Sequence, residues 1–340
     1  MTSTRYLPPM GRRRLIAAAA GIALVPPLMP RARAQPSRMT RIGWLGWVGA
    51  AGAAASALAL AAFRAGLADR GWAEGRGYGG YELLVRDGDQ PRSADLAAEL
   101  VRSGVDLLVA QGPMVFGARK ASGATPVIFN IGGDPVEAGL VASLSHPGGH
   151  LTGVTSLSTE LAGKRLELLK TAMQRGTHVA VIANALHAGF TIERDAVQAA
   201  ARRLGLALSW HLLKSMDDFD TALPRIASEG VHALLAVPDN LINVRAQALA
   251  RFTAAQRLPS ISGWAAFAEA GNLMSYGPNV HGYYRQMAGI ADRLLRGARA
   301  ADMAVEQPRD IELVVNAKAA RALGLDLPAE LQLRADRWIE

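Results

Sequence analysis

Apolar residues in this chain fall into short unbroken runs, separated by stretches in which they recur every three or four positions. The run 41–48 reads as a buried strand and ends in Gly46-Trp47. From about 50 to 70 the period changes. Leu60, Phe63 and Leu67 share one helical face, and Gly71 ends the stretch as a C-terminal glycine does. The alternation repeats with a strand over 81–85, a helix over 92–103 and a strand over 105–110 that ends in Gln111-Gly112-Pro113. A helix to 122 and a strand over 126–131 follow. Strands spaced by helices of this length predict parallel βαβ units.

Gly132-Gly133 break that strand. Asp134-Pro135 then read as a helix start, with Asp as N-cap and Pro at the first helical position. A Pro147-Gly148-Gly149 turn leads to 152–156, read as the first crossing between two lobes. The pattern restarts with a helix over 160–173, a strand over 178–183 ending at Asn184, a helix over 191–204 and a strand over 206–213. Asp217-Asp218 read as caps of a helix to 228, followed by a strand over 231–237 ending in Pro238-Asp239-Asn240. One helix over 241–256, a strand over 260–263 ending near Trp264, and a second crossing at 273–276 complete the block. A helix over 280–295, a strand over 311–316 and a last helix form the tail. Two such blocks predict a cleft between two open sheets, with ligand at the strand ends and lobes that close by hinge motion.

Composition narrows the class. The chain has 340 residues, 50% of them hydrophobic and 19% charged, which suits packed α/β layers rather than disorder. Residues 1–34 hold six arginines and no acid. Arg12-Arg13-Arg14-Leu15-Ile16 precede an apolar run over 15–25, and Ala32-Arg33-Ala34 offer small residues for cleavage. This is the layout of an export signal peptide, cleaved near Ala34. The paired arginines point to the twin-arginine route, with the general route as the alternative. The apolar run is shorter than the ~20 residues that span a bilayer, so no membrane insertion is expected after cleavage. About 305 residues remain, more than one ordinary core.

The net charge is +8, and the leader carries six of those charges, leaving +2 without a basic tract. Nucleic acid is therefore not an expected partner. The absence of cysteine excludes disulfides, thiolate metal sites, a Cys nucleophile and a lipidated N-terminal Cys, which implies free solution in a periplasm. There is no G-x-S-x-G elbow and no Walker A loop, and Gly43 to Trp47 lacks the third glycine of a dinucleotide loop. The seven histidines are scattered. No enzyme, cofactor or metal is expected.

The strand-end residues Gly46, Trp47, Gly112, Pro113, Asp134, Asn184, Asp239, Asn240, Trp264 and Tyr276 should border the cleft. They suit a zwitterion. The helix entry at Gly112-Pro113 would take a carboxylate, Asp134 or Asp239 an ammonium group, and Trp47, Trp264 or Tyr276 an apolar or aromatic side chain. The bland alternatives are a turn at Gly112, helix caps at both aspartates and core packing at Trp264.

Asp134-Pro135-Val136-Glu137-Ala138-Gly139-Leu140, with Ser145-His146-Pro147-Gly148-Gly149-His150 and Leu151-Thr152-Gly153-Val154-Thr155, resembles the signature of a family of ABC-transporter substrate-binding proteins. Phe63-Arg64-Ala65-Gly66-Leu67, Gly71-Trp72, Glu74-Gly75-Arg76, Gly163-Lys164-Arg165-Leu166-Glu167-Leu168-Leu169-Lys170, Leu273-Met274-Ser275-Tyr276-Gly277, Glu312-Leu313-Val314-Val315-Asn316 and Ala322-Leu323-Gly324-Leu325 extend the resemblance to the C-terminus. The order of these pieces over about 300 residues is more specific than any one of them.

The resemblance implies an α/β, two-lobed periplasmic-binding-protein type I clamp, each lobe a parallel sheet flanked by helices. Lobe 1 would comprise 40–153 plus 278–300 and lobe 2 156–273, with 305–340 packing near the hinge or on lobe 2. It further implies a small-molecule ligand and the membrane permease of an ABC importer as partners. Characterised relatives are linked to tryptophan and similar amino acids. An exported ligand-sensing module for a membrane receptor would use the same clamp. The chain departs from its relatives between Gly75 and Asp89 and in the Ala-rich 50–57 stretch.

Overall fold

The computed structural model of the protein describes residues 39–47, 52–75, 80–156, 159–173, 175–186 and 190–340. The expected leader, its expected cleavage near Ala34 and the departure at Gly77-Tyr78-Gly79 lie outside the described residues.

The first block runs β1 (Thr40–Trp47), α1 (Gly52–Ala68), β2 (Ala73–Glu74), β3 (Gly80–Gly88), α2 (Ser93–Arg102), β4 (Leu107–Gln111), α3 (Met114–Ala121), β5 (Val127–Ile131) and β6 (Leu151–Thr155). These strands form one sheet in the order β2-β3-β1-β4-β5-β6, parallel at every pairing. The second block runs α4 (Thr159–Ala172), β7 (His178–Asn184), α5 (Phe190–Leu204), β8 (Ala207–Leu213), α6 (Phe219–Ser228), β9 (Ala233–Ala236), α7 (Asn240–Val244), α8 (Ala246–Ala255), β10 (Ser260–Ser262), α9 (Ala265–Glu269) and β11 (Met274–Pro278). The chain then returns to the first sheet as α10 (Val280–Leu295), and ends as β12 (Ile311–Asn316), α11 (Ala317–Leu323), α12 (Ala329–Arg334) and β13 (Arg337–Ile339). The second sheet has the order β13-β12-β11-β10-β9-β7-β8, parallel except where β12 runs against β11.

Helices on both faces explain the unbroken apolar runs. Every residue of β4 and β9 is buried, as expected for parallel strands covered on two sides. One face of the first sheet packs Ile42, Trp44 and Val109 against Phe63 and Leu67 of α1 and Tyr284, Met287 and Ala291 of α10. Fully burying a side chain such as Phe63 or Leu67 contributes about 1.5–3 kcal/mol. Gly66 lets those helices touch, because a Cβ there would lie 2.7 Å from Ala288 Cβ and 2.9 Å from Arg285 Cα. The other face packs Leu45, Leu108 and Phe129 against α2 and α3. At the tail, Asn316 caps α11 by accepting from Ala319 N–H at 2.8 Å, and Gly324 closes it in the left-handed region at φ 66.

Several local expectations are revised. The run at 152–156 is β6, a full strand beside β5, and the chain leaves the first sheet only after it. The run at 273–276 is likewise β11, inside the second sheet. A further passage between the sheets follows α10, where Thr155 N–H donates to the Glu306 carbonyl at 3.0 Å before the chain enters β12. Asp134-Pro135 open a set of turns rather than a helix, because Gly139 at φ 66 reverses the chain after one turn. The helix expected over 241–256 breaks at Arg245 into α7 and α8. Asp218 does not cap forward. Its Oδ2 accepts from Lys214 and Ser215 N–H at 2.7 and 2.9 Å. Those backbone hydrogen bonds, Lys214 first, hold its carboxyl below the usual range.

Candidate functional site

Parallel strands carry their ligand sites at the carboxyl ends. On the first sheet those ends lie side by side in the order Asp87, Gly46-Trp47, Gln111-Gly112 and Asn130-Ile131. Gln111 is the hub of this edge. Its Oε1 accepts from Trp47 N–H at 3.2 Å and from the Ser56 hydroxyl at 3.4 Å, which turns its Nε2 toward the Tyr284 hydroxyl at 2.9 Å. Asn130 repeats the device. Its Oδ1 accepts from Gly112 N–H at 3.2 Å, and its Nδ2 donates to the same Tyr284 oxygen at 3.2 Å. Backbone N–H groups therefore fix the orientation of both amides.

Tyr284 stands in the first turns of α10, so the returning helix braces the cleft edge. Burial pushes its phenol up to about 12, against the opposing hydrogen bonds from Gln111 and Asn130, and the hydroxyl stays protonated. Gln111, Asn130 and Tyr284 were not among the expected site residues. Gln111 had a signal, as the last residue of a strand run. Tyr284 had none, because it lies 154 residues from Asn130 and its period marks only a helix face.

On the second sheet, Asn184 ends β7 and Asp239 follows β9. Asn184 Nδ2 donates to Asp239 Oδ1 at 3.0 Å, and the same oxygen caps α7 by accepting from Leu241 N–H at 2.8 Å. Asn184 Oδ1 accepts from Leu186 N–H at 2.9 Å. Asn240, next in the chain, faces the first sheet. Its Nδ2 lies 3.7 Å from the point where a Cβ on Gly112 would sit. Gly112 adopts φ 51, and Pro113 follows as the residue before α3. The two sheets thus present their strand ends to each other at Gly112 and Asn240.

The remaining expected residues sit nearby without joining that gap. Asp134 Oδ1 accepts from Val136 and Glu137 N–H at 2.7 and 3.3 Å, within its own turn. Trp264 is half-buried two residues past the end of β10, and Tyr276 is half-buried in the middle of the neighbouring strand β11. The Tyr276 carbonyl accepts from Arg165 Nε at 2.8 Å, and Arg165 Nη1 meets Glu193 Oε1 at 3.3 Å. Gly163-Lys164-Arg165 therefore supplies a buried cation that ties α4 and α5 to β11.

Among the described residues no group of three or more His, Cys, Asp or Glu side chains is arranged to hold a metal ion. His146 and His150 are four apart, but His146 Nδ1 faces Ser145 at 3.1 Å and His150 Nε2 faces Ser122 at 2.9 Å. An apolar crevice of about 220 Å³, lined by Leu273, Asn316, Ala319 and Leu323 among others, lies at the opposite end of the second sheet from the strand carboxyl ends. No described helix is long and apolar enough to cross a membrane.

A sequence model described as ABC transporter substrate binding protein matches residues 55–339. The chain belongs to that family. It is a family of substrate-binding proteins rather than of enzymes. A tyrosine-binding protein of Clostridioides difficile (strain R20291) is 24% identical over 269 residues, which cover 78% of this chain and 76% of that relative. Among solved structures, a Streptococcus pneumoniae ABC domain in complex with L-Trp aligns with TM-score 0.79 and 24% identity, covering 88% of this chain and 100% of that one. A ligand-free, open substrate binding protein with adhesive properties from Clostridium difficile aligns with TM-score 0.69 and 21% identity, covering 89% and 99%. These substrate-binding proteins share the two-sheet architecture described above, the type I periplasmic-binding-protein fold.

Proposed function

We propose that this substrate-binding protein captures an amino acid, or a similar small amphipathic compound, in the periplasm and delivers it to the permease of an ABC importer. The reading has residues 1–34 exported and removed near Ala34. The observation that carries it is the facing of two polar strand ends at Gly112 and Asn240. The lobe-1 edge is held by the Gln111–Tyr284–Asn130 network, and the lobe-2 edge by the Asn184–Asp239 pair. Gly46, Trp47, Gly112, Pro113, Asn184, Asp239 and Asn240 are assigned to the cleft, with Trp264 and Tyr276 as its aromatic margin and Asp134 at its rim. The relatives that bear tyrosine and L-Trp in their names support an amino-acid ligand.

The test is calorimetric titration of the purified chain, from 35 onward, with the twenty common amino acids, beside mass spectrometry of small molecules released on denaturation. Saturable binding of one or a few amino acids is expected. A released compound of another class, together with no amino-acid binding, would replace the ligand assignment.

A further inference from the structure

The first sheet carries an acid at its cleft edge that the reading above leaves unused. β1 and β3 are in register with Gly46 opposite Asp87. Both side chains therefore project from the same face, one strand spacing apart. Gly46 has no side chain, and Asp87 leans into the space: a Cβ on Gly46 would run into Asp87 Oδ1. The same Cβ would lie 3.1 Å from Trp44 Nε1. Trp44 is 0% exposed, and its indole N–H has no acceptor.

Elsewhere the strand-end acids are committed. Asp134 and Asp239 each hold backbone N–H groups, whereas Asp87 makes no hydrogen bond or ion pair with any described residue. An exposed carboxylate and a buried donor, each without a partner among the described residues, thus converge over Gly46. A buried donor without an acceptor is costly, so a ligand that supplies the acceptor is favoured. Gly112, where the second sheet approaches, lies two strand spacings, about 10 Å, from Asp87.

We propose that the recess over Gly46 is the head-group subsite of the cleft, taking a primary ammonium on Asp87 and an acceptor oxygen on the Trp44 indole N–H. This rests on the amino-acid reading given under Proposed function. A cation and an acceptor on adjacent carbons are the head of a free amino acid. A sugar or a simple carboxylic acid brings no cation for Asp87. Gly46 is required because any larger residue would displace the carboxylate.

The test compares L-tyrosine and L-tryptophan with their des-amino analogues, 3-(4-hydroxyphenyl)propionate and indole-3-propionate, on the parent chain, Asp87→Asn and Gly46→Ala. The parent should prefer the amino acids. Both variants should bind the bound amino acid about ten- to a hundred-fold more weakly, the loss of one charge-assisted hydrogen bond. The affinity of Asp87→Asn for the des-amino analogue should not change, whereas Gly46→Ala, whose methyl group would also crowd the Trp44 indole N–H, should weaken both ligands. The empty Asp87→Asn protein should melt with the parent, because Asp87 has no partner to lose among the described residues. Parent-like amino-acid affinity in Asp87→Asn overturns the subsite and leaves the amino-acid reading standing. A parent that binds none of the twenty amino acids overturns both, and does so before any variant is made.

Discussion

The buried Arg165 is the most exacting test of how the second sheet is held together. Arg165 is 4% exposed. Its Nε donates to the Tyr276 carbonyl at 2.8 Å and its Nη1 meets Glu193 at 3.3 Å, the Glu193 side chain being 8% exposed. Burial pulls the guanidinium below its ordinary value, and Glu193 opposes that pull. Arg165→Ala leaves Glu193 buried without this cation and the Tyr276 carbonyl without its donor. Breaking a buried pair by removing one partner costs about 3–5 kcal/mol. The orphaned carbonyl would add about 1–3 kcal/mol on its own, but the same side chain serves both, so the two losses overlap and about 3–5 kcal/mol is the expectation. Replacing both charges, as Arg165→Met with Glu193→Leu, should recover part of it, with a coupling energy of about 2 kcal/mol in a double-mutant cycle. Urea unfolding followed by tryptophan fluorescence reads the effect as a lower midpoint at unchanged slope. A loss under about 1 kcal/mol for Arg165→Ala, or no coupling in the cycle, would refute the reasoning.

Further outcomes follow from other contacts. Gly277→Ala should lower the melting temperature and the yield of folded protein, because its Cβ would overlap the backbone carbonyl of Gly263, which cannot turn aside; a parent-like melt would show that β10 and β11 separate easily. For Glu306, burial alone would raise the carboxyl, but Gln286, Arg293 and Arg309 outweigh it and hold it low. Its stabilisation is therefore present above the unfolded carboxyl value and is lost as pH falls through the folded one. Glu306→Gln should cost about 1.5–3 kcal/mol at pH 7 and nothing once both forms are measured at acid pH; a pH-independent difference in urea midpoints would contradict this. Asp239→Ala should cost about 1 kcal/mol or more through the lost α7 cap and the lost Asn184 partner, whereas Asp239→Asn, which keeps an acceptor, should cost less; equal urea midpoints for the two would count against the cap.

Alternation of strand and helix was legible over most of the described residues, though not for α9 or β13, because parallel strands buried on both faces read as unbroken apolar runs and their covering helices keep a clear period. The strand ends were legible for the same reason, and with them Gly112, Asn184, Asp239 and Asn240. Local signals misled where a later residue decided the outcome. Asp134-Pro135 is a sound helix start, yet Gly139 ends it after one turn. Asp218 is a sound N-cap, yet its carboxylate turns back to the loop before it.

What the sequence could not hold was the company each residue keeps across long separations. Gln111 and Asn130 meet over a hydroxyl brought by α10, 173 and 154 residues away. Asp87 lies two residues beyond the strand expected over 81–85 and was not singled out. Only the register of β3 on β1 lays it over a glycine and beside an indole N–H that has no acceptor. Period and composition are properties of neighbours in the chain, so the sequence alone determined the layers. Register and the return of α10 depend on which surfaces bury each other, so only the tertiary structure decided what the cleft edge presents to a ligand.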